Sequence, residues 1–472
     1  LSATDLADPA LLQAWGRAAV DLGPLSPGPS APGALLVAAP GVQSGLWMLH
    51  TPPLRSTVPP HGAALCLSAP RIVNETLSSP AIERATLPLM TPSFNQATPV
   101  IYFGSAVAPL GDTADTGIGL VAVGSASERG AAQLENGAVV ILRGKRLLLG
   151  GAGVFDPLLT NAIRPPQSLD PDSNLPAGWG FGAALAAVGD LNGDGSGELA
   201  VGAPGAQDGR GAVVILLLSA AGTVRDTWPP VLLDHMPQEG TSFAFIAPKL
   251  GAALAAWVPA DAGSAQSPVA LLLAAPLIDR RRPAGTGAVW SLRLPRVPVS
   301  GLEVPAADWG VGAVSADIRS PGVKVRRGAP EAAADAAFSS GIDTLRDSSI
   351  GQALAPLGDV DGDGAGDFAS TGTTGSAGVT PDAPVLFVCF GSGDGGVARI
   401  TALFGSSTPA FLDTPVTLLQ WGASLAFLGD VDGSGATGVL LGMPSSSGDG
   451  GTAFVLQLNR AGDIMSGRTH VR

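Results

Sequence analysis

A three-part pattern, complete between residues 181 and 218, recurs along the chain and limits what it can fold into. In FGAALAAVGDLNGDGSGELAVGAPGAQDGRGAVVILLL, an apolar run opened by Phe181-Gly182 ends at Asp190 and an acidic, Gly-rich loop follows. Residues 199–204 (LAVGAP) then lead through a turn to a third run at 211–218. The opening recurs as Trp15-Gly16, Phe103-Gly104, Leu250-Gly251, Ile350-Gly351 and Trp421-Gly422. The second part recurs at 35–40 (LLVAAP), 65–70 (LCLSAP), 121–126 (VAVGSA), 271–276 (LLLAAP), 368–373 (FASTGT) and 439–444 (VLLGMP). The third recurs at 45–49, 99–103, 137–142, 287–292, 383–390 and 451–458, so these two parts each occur seven times. Three or four short strands are too few to close a core alone, whereas similar units packed face to face bury both sides of every sheet. That burial explains strands that read as apolar throughout rather than alternating.

Composition agrees with an all-β chain of many short strands and turns. It has 472 residues, 46% of them hydrophobic and only 14% charged, with 65 Gly and 41 Pro. A net charge of −13 argues against a nucleic-acid partner. No apolar run is long enough for a helix to span a membrane. The chain opens on Leu1 with no signal peptide in view, consistent with removal of an N-terminal segment. Cys66 and Cys389 lie in apolar runs, LCL and FVCF, as buried thiols do, though one long-range disulfide stays open. Asn74-Glu75-Thr76 is a glycosylation sequon, the only Asn-x-Ser/Thr triplet and weak support for secretion.

The acidic loop places Asp190, Asn192, Asp194, Ser196 and Glu198 at alternate positions, with glycines between them. Asp, Asn and Gly also build ordinary polar turns. Acids at positions one, five and nine favour a hard cation, and an all-oxygen donor set favours Ca²⁺. A second loop repeats the spacing with Asp359, Asp361, Asp363, Ala365 and Asp367, where Ala365 offers only its carbonyl. Its four carboxylates predict a site at least as strong as the first. In the last unit Asp430, Asp432 and Ser434 remain, but position nine is Gly438, which leaves a weak site and an empty turn evenly balanced. Asp112 is followed by Ala114, Thr116 and Leu120, and that loop is not expected to hold metal.

This pattern resembles the FG-GAP repeat, the unit of the seven-bladed β-propeller at the head of integrin α subunits. The motifs are most specific at 181–204, 350–368 and 421–444. The resemblance implies a single propeller over 1–472, with seven blades of four antiparallel strands. It also implies Ca²⁺ as a structural ion and an extracellular recognition or adhesion role, with a protein or cell-surface ligand or a partner chain.

Strand parity sorts the loops. In a four-stranded antiparallel blade, the first-to-second and third-to-fourth connections share one face, and the remaining connections share the other. Long insertions near 71–98, 151–180 and 305–349, with a shorter one at 277–286, fall mostly on the face opposite the acidic loops. Long loops on a rigid scaffold tend to carry function. Arg280, Arg281 and Arg282 form a basic run there, and Lys324, Arg326 and Arg327 a second; solvated loops explain either run as simply as a partner does, and better by count. Trp309 is an interface anchor or a packing residue of the insertion.

Catalytic signals are poor, and the Asp and Glu residues capable of acid/base work are concentrated where metal explains them better. His50, His61, His235 and His470 stand in no metalloprotease motif, and there is no nucleophile elbow or phosphate-binding loop. The expectation is a non-enzymatic binding module. Two other classes stay open: a carbohydrate-binding or carbohydrate-active propeller, and a spacer domain of a larger surface protein.

Overall fold

The computed structural model describes residues 18–24, 33–39, 45–51, 82–86, 103–111, 120–126, 136–144, 155–166, 178–233, 248–257, 269–276, 287–294, 314–315, 324–327, 349–376, 379–391, 397–404, 422–430, 435–443, 452–465 and 470–471. Among them the chain forms six sheets, each built from strands close in sequence. The first contains β1 (Ala18–Pro24), β2 (Gly33–Ala39), β3 (Gly45–Thr51) and β4 (Ile82–Thr86). The second contains β5 (Phe103–Gly111), β6 (Leu120–Ser125), β7 (Ala138–Gly144) and β8 (Phe155–Ile163). In the third, β9 (Ala184–Gly189), β10 (Glu198–Ala203) and β11 (Ala212–Leu218) are edged by β12 (Val224–Thr227) and β13 (Val231–Leu232), both paired with β11. The fourth contains β14 (Ala253–Trp257), β15 (Val269–Ala275), β16 (Ala288–Leu294) and β17 (Val314–Ser315). The fifth contains β18 (Lys324–Arg327), β19 (Leu354–Gly358), β20 (Asp367–Ser376), β21 (Val379–Gly391) and β22 (Val397–Phe404). The sixth contains β23 (Ser424–Gly429), β24 (Thr437–Met443), β25 (Thr452–Leu458) and β26 (His470–Val471).

The sheets follow one another in space as in sequence. First strands touch in order, β1 to β5, β5 to β9, β9 to β14, β14 to β19 and β19 to β23, and β23 also touches β1. Between sheets lie the cores, and alternate residues of one strand enter different cores. Leu199 and Val201 pack with Leu120, Val139 and Ile141 of the second sheet, whereas Ala200 between them packs with Leu271 and Leu273 of the fourth. Likewise Val385 and Phe387 face the fourth sheet, and Leu386 and Val388 face Leu441 and Leu456 of the sixth. The middle strands β6, β10 and β11 are buried at every position. Two-faced burial is therefore the reason these strands carry no polar alternation.

The recurring glycines sit where neighbouring sheets meet. A β-carbon on Gly124 of β6 would lie 1.9 Å from the carbonyl oxygen of Gly182, which opens the third sheet. The same meeting recurs one sheet on, between Gly202 and Gly251. Just before each of these openings, the backbone docks on the preceding sheet: the Phe181 amide donates to Asn136 O at 2.9 Å, and the Leu250 amide to Arg210 O at 3.0 Å.

Several expectations change. Much of 151–180 was expected to be connection, but its stretch Phe155–Ile163 is β8, the outer strand of the second sheet. The 71–98 stretch contains β4, and 305–349 contains β17 and β18. Outer strands need bury only one flank, so they lack the small-apolar signature of the inner ones. Nor are all the sheets four-stranded and antiparallel, because β18 adds to β22 in parallel, pairing Lys324 with Arg399 and Arg327 with Ala402. The addition covers an edge that would otherwise expose unpaired backbone groups. Six sheets are described; the parts expected at 65–70 and 99–102 lie outside the described residues.

Candidate metal centres

Both acidic loops join the first and second strands of a sheet, β9 to β10 and β19 to β20, on one common backbone plan. The first strand ends at a glycine with positive φ, Gly189 at 72° and Gly358 at 72°. That glycine pairs with position nine of the loop, Glu198 or Asp367, across a register shift. Gly429 with Gly438 in the sixth sheet and Gly111 with Leu120 in the second repeat the arrangement. The bulge thus belongs to the repeat, and the residue types placed on it decide whether a cation can be held.

In the third sheet, Asp190 ties the turn together. Its Oδ1 accepts from the amides of Gly193 at 2.7 Å and Asp194 at 3.2 Å, and its Oδ2 from Gly195 at 2.9 Å. Asn192 Oδ1 accepts from the Asp194 amide at 2.8 Å, and Asp194 Oδ1 from the Ser196 amide at 2.8 Å. Glu198 is fully buried; its Oε2 accepts from the Leu191 amide at 2.5 Å, while its Oε1 is buried with no hydrogen-bond partner. Oxygens of Asp190, Asp194 and Glu198 lie within 4.8 Å of one another. Burial, then the nearby Asp190 and Asp194 charges, push the Glu198 carboxyl up from 4.5 to about 7 against the pull of the Leu191 amide. A buried carboxylate with one oxygen unpartnered and two further acids close by is costly without a cation and suited to one.

The fifth-sheet loop repeats these bonds. Asp359 Oδ1 accepts from Gly362 at 2.7 Å and Asp363 at 3.1 Å, and its Oδ2 from Gly364 at 3.0 Å. The Ala365 amide donates to Asp363 Oδ1 at 2.7 Å. Oxygens of Asp359, Asp361 and Asp363 converge within 4.8 Å. Asp367 is fully buried like Glu198, yet both its oxygens accept from backbone, Oδ2 from Val360 at 2.7 Å and Oδ1 from Gly391 at 2.9 Å. One methylene shorter than Glu, it is held at the strand while Glu198 reaches the loop. Burial, with Asp361 adding repulsion, lifts Asp367 from 3.8 to about 7 despite those two bonds. These residues fit Ca²⁺: hard oxygen donors, preformed turns and spare carboxylate charge.

In the sixth sheet, Asp430 Oδ2 accepts from the Gly435 amide at 2.9 Å, the same turn-tying bond. Asp432 and Ser434 lie outside the described residues, as do Asn74, Cys66, Arg280, Arg281, Arg282 and Trp309. Lys324, Arg326 and Arg327 lie in β18. Cys389 is a buried free thiol.

Two residues at these loops are invisible to motif reading. Arg225 of β12 pairs with Asp194 at 2.8 Å, and Arg399 of β22 pairs with Asp361 at 2.8 Å. They lie 31 and 38 residues from their partners, so only the sheet brings them together.

Residues 181–216 match the family model of the FG-GAP repeat. No curated protein matches the chain. Solved structures with some likeness include an exo-1,5-α-L-arabinanase from a bovine ruminal metagenomic library, at 9% identity and TM-score 0.32, covering 80% of this chain and 94% of that one. Another is an α-L-arabinofuranosidase from Fusarium graminearum in complex with an iminosugar inhibitor, at 9% identity and TM-score 0.35, covering 78% of this chain and 92% of that one. Likeness at that level carries no argument about activity.

Proposed function

We propose that this chain, an all-β protein with an FG-GAP repeat at 181–216, is a calcium-stabilised propeller acting outside the cell as a non-catalytic recognition or adhesion module. The observation that carries it is Glu198, buried with its Oε1 unpartnered and its carboxylate close to Asp190 and Asp194, on a loop whose backbone is already tied. Bound Ca²⁺ would hold the hairpin ends of the third and fifth sheets and leave the chemistry of binding to other loops. The seven-unit count comes from the sequence recurrences, whereas six sheets are described and their first strands touch in succession from β1 to β23, with β23 also meeting β1. Among the described residues, no helix is long and apolar enough to cross a membrane.

In this reading the partner meets the face opposite the acidic loops, the face that carries the β10–β11 connection and the connections between sheets. Binding of the purified chain to intact cells, in calcium and in chelator, tests the function. Binding that needs calcium and is lost when surface proteins are stripped supports adhesion to protein. Loss on enzymatic removal of glycans, or turnover of an oligosaccharide, overturns it in favour of a carbohydrate role.

A further inference from the structure

Arg225 and Arg399 stand in the same relation to the two loops. Each extends from the strand next beyond the sheet's third, β12 beside β11 and β22 beside β21, and places a guanidinium nitrogen on an aspartate Oδ2, Asp194 in the third sheet and Asp361 in the fifth. Their surroundings differ. Arg225 has 55% of its side chain exposed, so its field is largely screened. Arg399 has 22% exposed, stacks over the Phe390 ring with its guanidinium carbon 3.6 Å from the centroid, and donates to Arg460 O of the sixth sheet at 3.3 Å. The hairpin carrying that carbonyl is itself fixed to the fifth sheet, because Thr401 Oγ1 donates to Ala461 O at 2.9 Å. Arg399 is therefore a positioned charge rather than a wandering surface side chain.

We infer that Arg225 and Arg399 set the cation affinity of the two loops, Arg399 strongly and Arg225 weakly, each holding one carboxylate oxygen and opposing the incoming charge. The inference rests on the calcium reading of the loops. Affinity of oxygen-donor sites follows the number of ligand charges. The third-sheet loop offers three carboxylates, Asp190, Asp194 and Glu198, and Arg225 offsets one of them. The fifth-sheet loop also brings three together, Asp359, Asp361 and Asp363, with Asp367 held at the strand by backbone donors, and Arg399 offsets one of the three. Without metal, each arginine serves as a tethered counter-ion that relieves repulsion within its loop. With metal, the same fixed charge weakens binding. Neither arginine is a ligand; both act through the aspartate they hold.

Calcium titration calorimetry on the full chain tests this, with the other loop silenced by Asp190→Ala with Asp194→Ala, or by Asp361→Ala with Asp363→Ala. Arg399→Met should tighten calcium binding at the fifth-sheet loop by roughly tenfold and lower the metal-free melting temperature. Arg399→Lys, which keeps the charge, should stay near the unsubstituted affinity. Arg225→Met should tighten the third-sheet loop by no more than about threefold, as its exposure requires. Should Arg399→Met fail to fold, Arg399→Gln removes the charge while keeping a donor for Arg460 O. Calcium binding by the unsubstituted loops with unchanged or weaker affinity in the Arg399 variants overturns the inference and leaves the calcium reading standing. Absence of calcium binding by the unsubstituted chain overturns both.

Discussion

Gly202 of the third sheet and Gly251 of the fourth face each other so closely that a β-carbon on Gly202 would lie 2.0 Å from the Gly251 carbonyl oxygen. No side chain fits at that separation, and the obstacle is backbone, which cannot rotate away. The GAP glycine of one unit and the FG glycine of the next are thus two halves of one contact.

Gly202→Ala should cost about 1–3 kcal/mol or more, as overpacking in a tight core does. The matched control is Gly189→Ala, where nothing lies within 4 Å but φ is 72°. Only the left-handed backbone opposes that change, at about 1–2 kcal/mol. Denaturant midpoints of the two variants should rank in that order; equal costs would remove the close-contact explanation.

Much of this architecture is legible in the sequence, for physical reasons. Inner strands are squeezed between two sheets and must be small and apolar, so 199–204, 271–276 and 439–444 announce themselves. The acidic loops do likewise, since alternate acids separated by glycines stand out from the small, apolar strands on either side. Outer strands such as β8 and β18 have no such constraint and read as connections. Arg225 and Arg399 are hidden for another reason: their meaning comes from pairing across a sheet. Asp367 shows a further limit, for spacing gives its position but not that backbone donors hold both its oxygens.

Metal-free protein should lose stability as pH rises. Glu198 and Asp367 have folded-state values near 7, above their ordinary values of 4.5 and 3.8, so the folded state holds these protons more tightly than the unfolded chain. Their contribution is fully present below the unfolded values and is lost as pH rises through about 7. Thermal melts in chelator from about pH 5 to pH 8 should fall accordingly, and Glu198→Gln should flatten the profile. Saturating calcium should abolish the decline by favouring the ionised carboxylates. Chelated protein that grows more stable over this range would contradict the assignment.

Cys389 should be inert in the native state. Its thiol is fully buried and its pKa is pushed well above the ordinary range by burial, with Asp367 adding to the effect. Thiolate is the reactive form, so neither access nor ionisation favours attack. In a Cys66→Ser background, a thiol reagent should label Cys389 only after denaturant is added. Rapid labelling of the folded protein would show that the fifth sheet opens.

Calcium content and thermal stability, measured together on the unsubstituted chain, Glu198→Gln and Asp361→Ala with Asp363→Ala, decide whether the two acidic loops hold calcium. The expected result is one ion in each of the two loops, a melting temperature lowered by chelator and restored by calcium, and loss of one ion in the double variant with the other retained. Glu198→Gln should weaken the third-sheet site and relieve the metal-free protein of its buried charge. A chain that binds no calcium, or melts identically in calcium and chelator, would contradict the account.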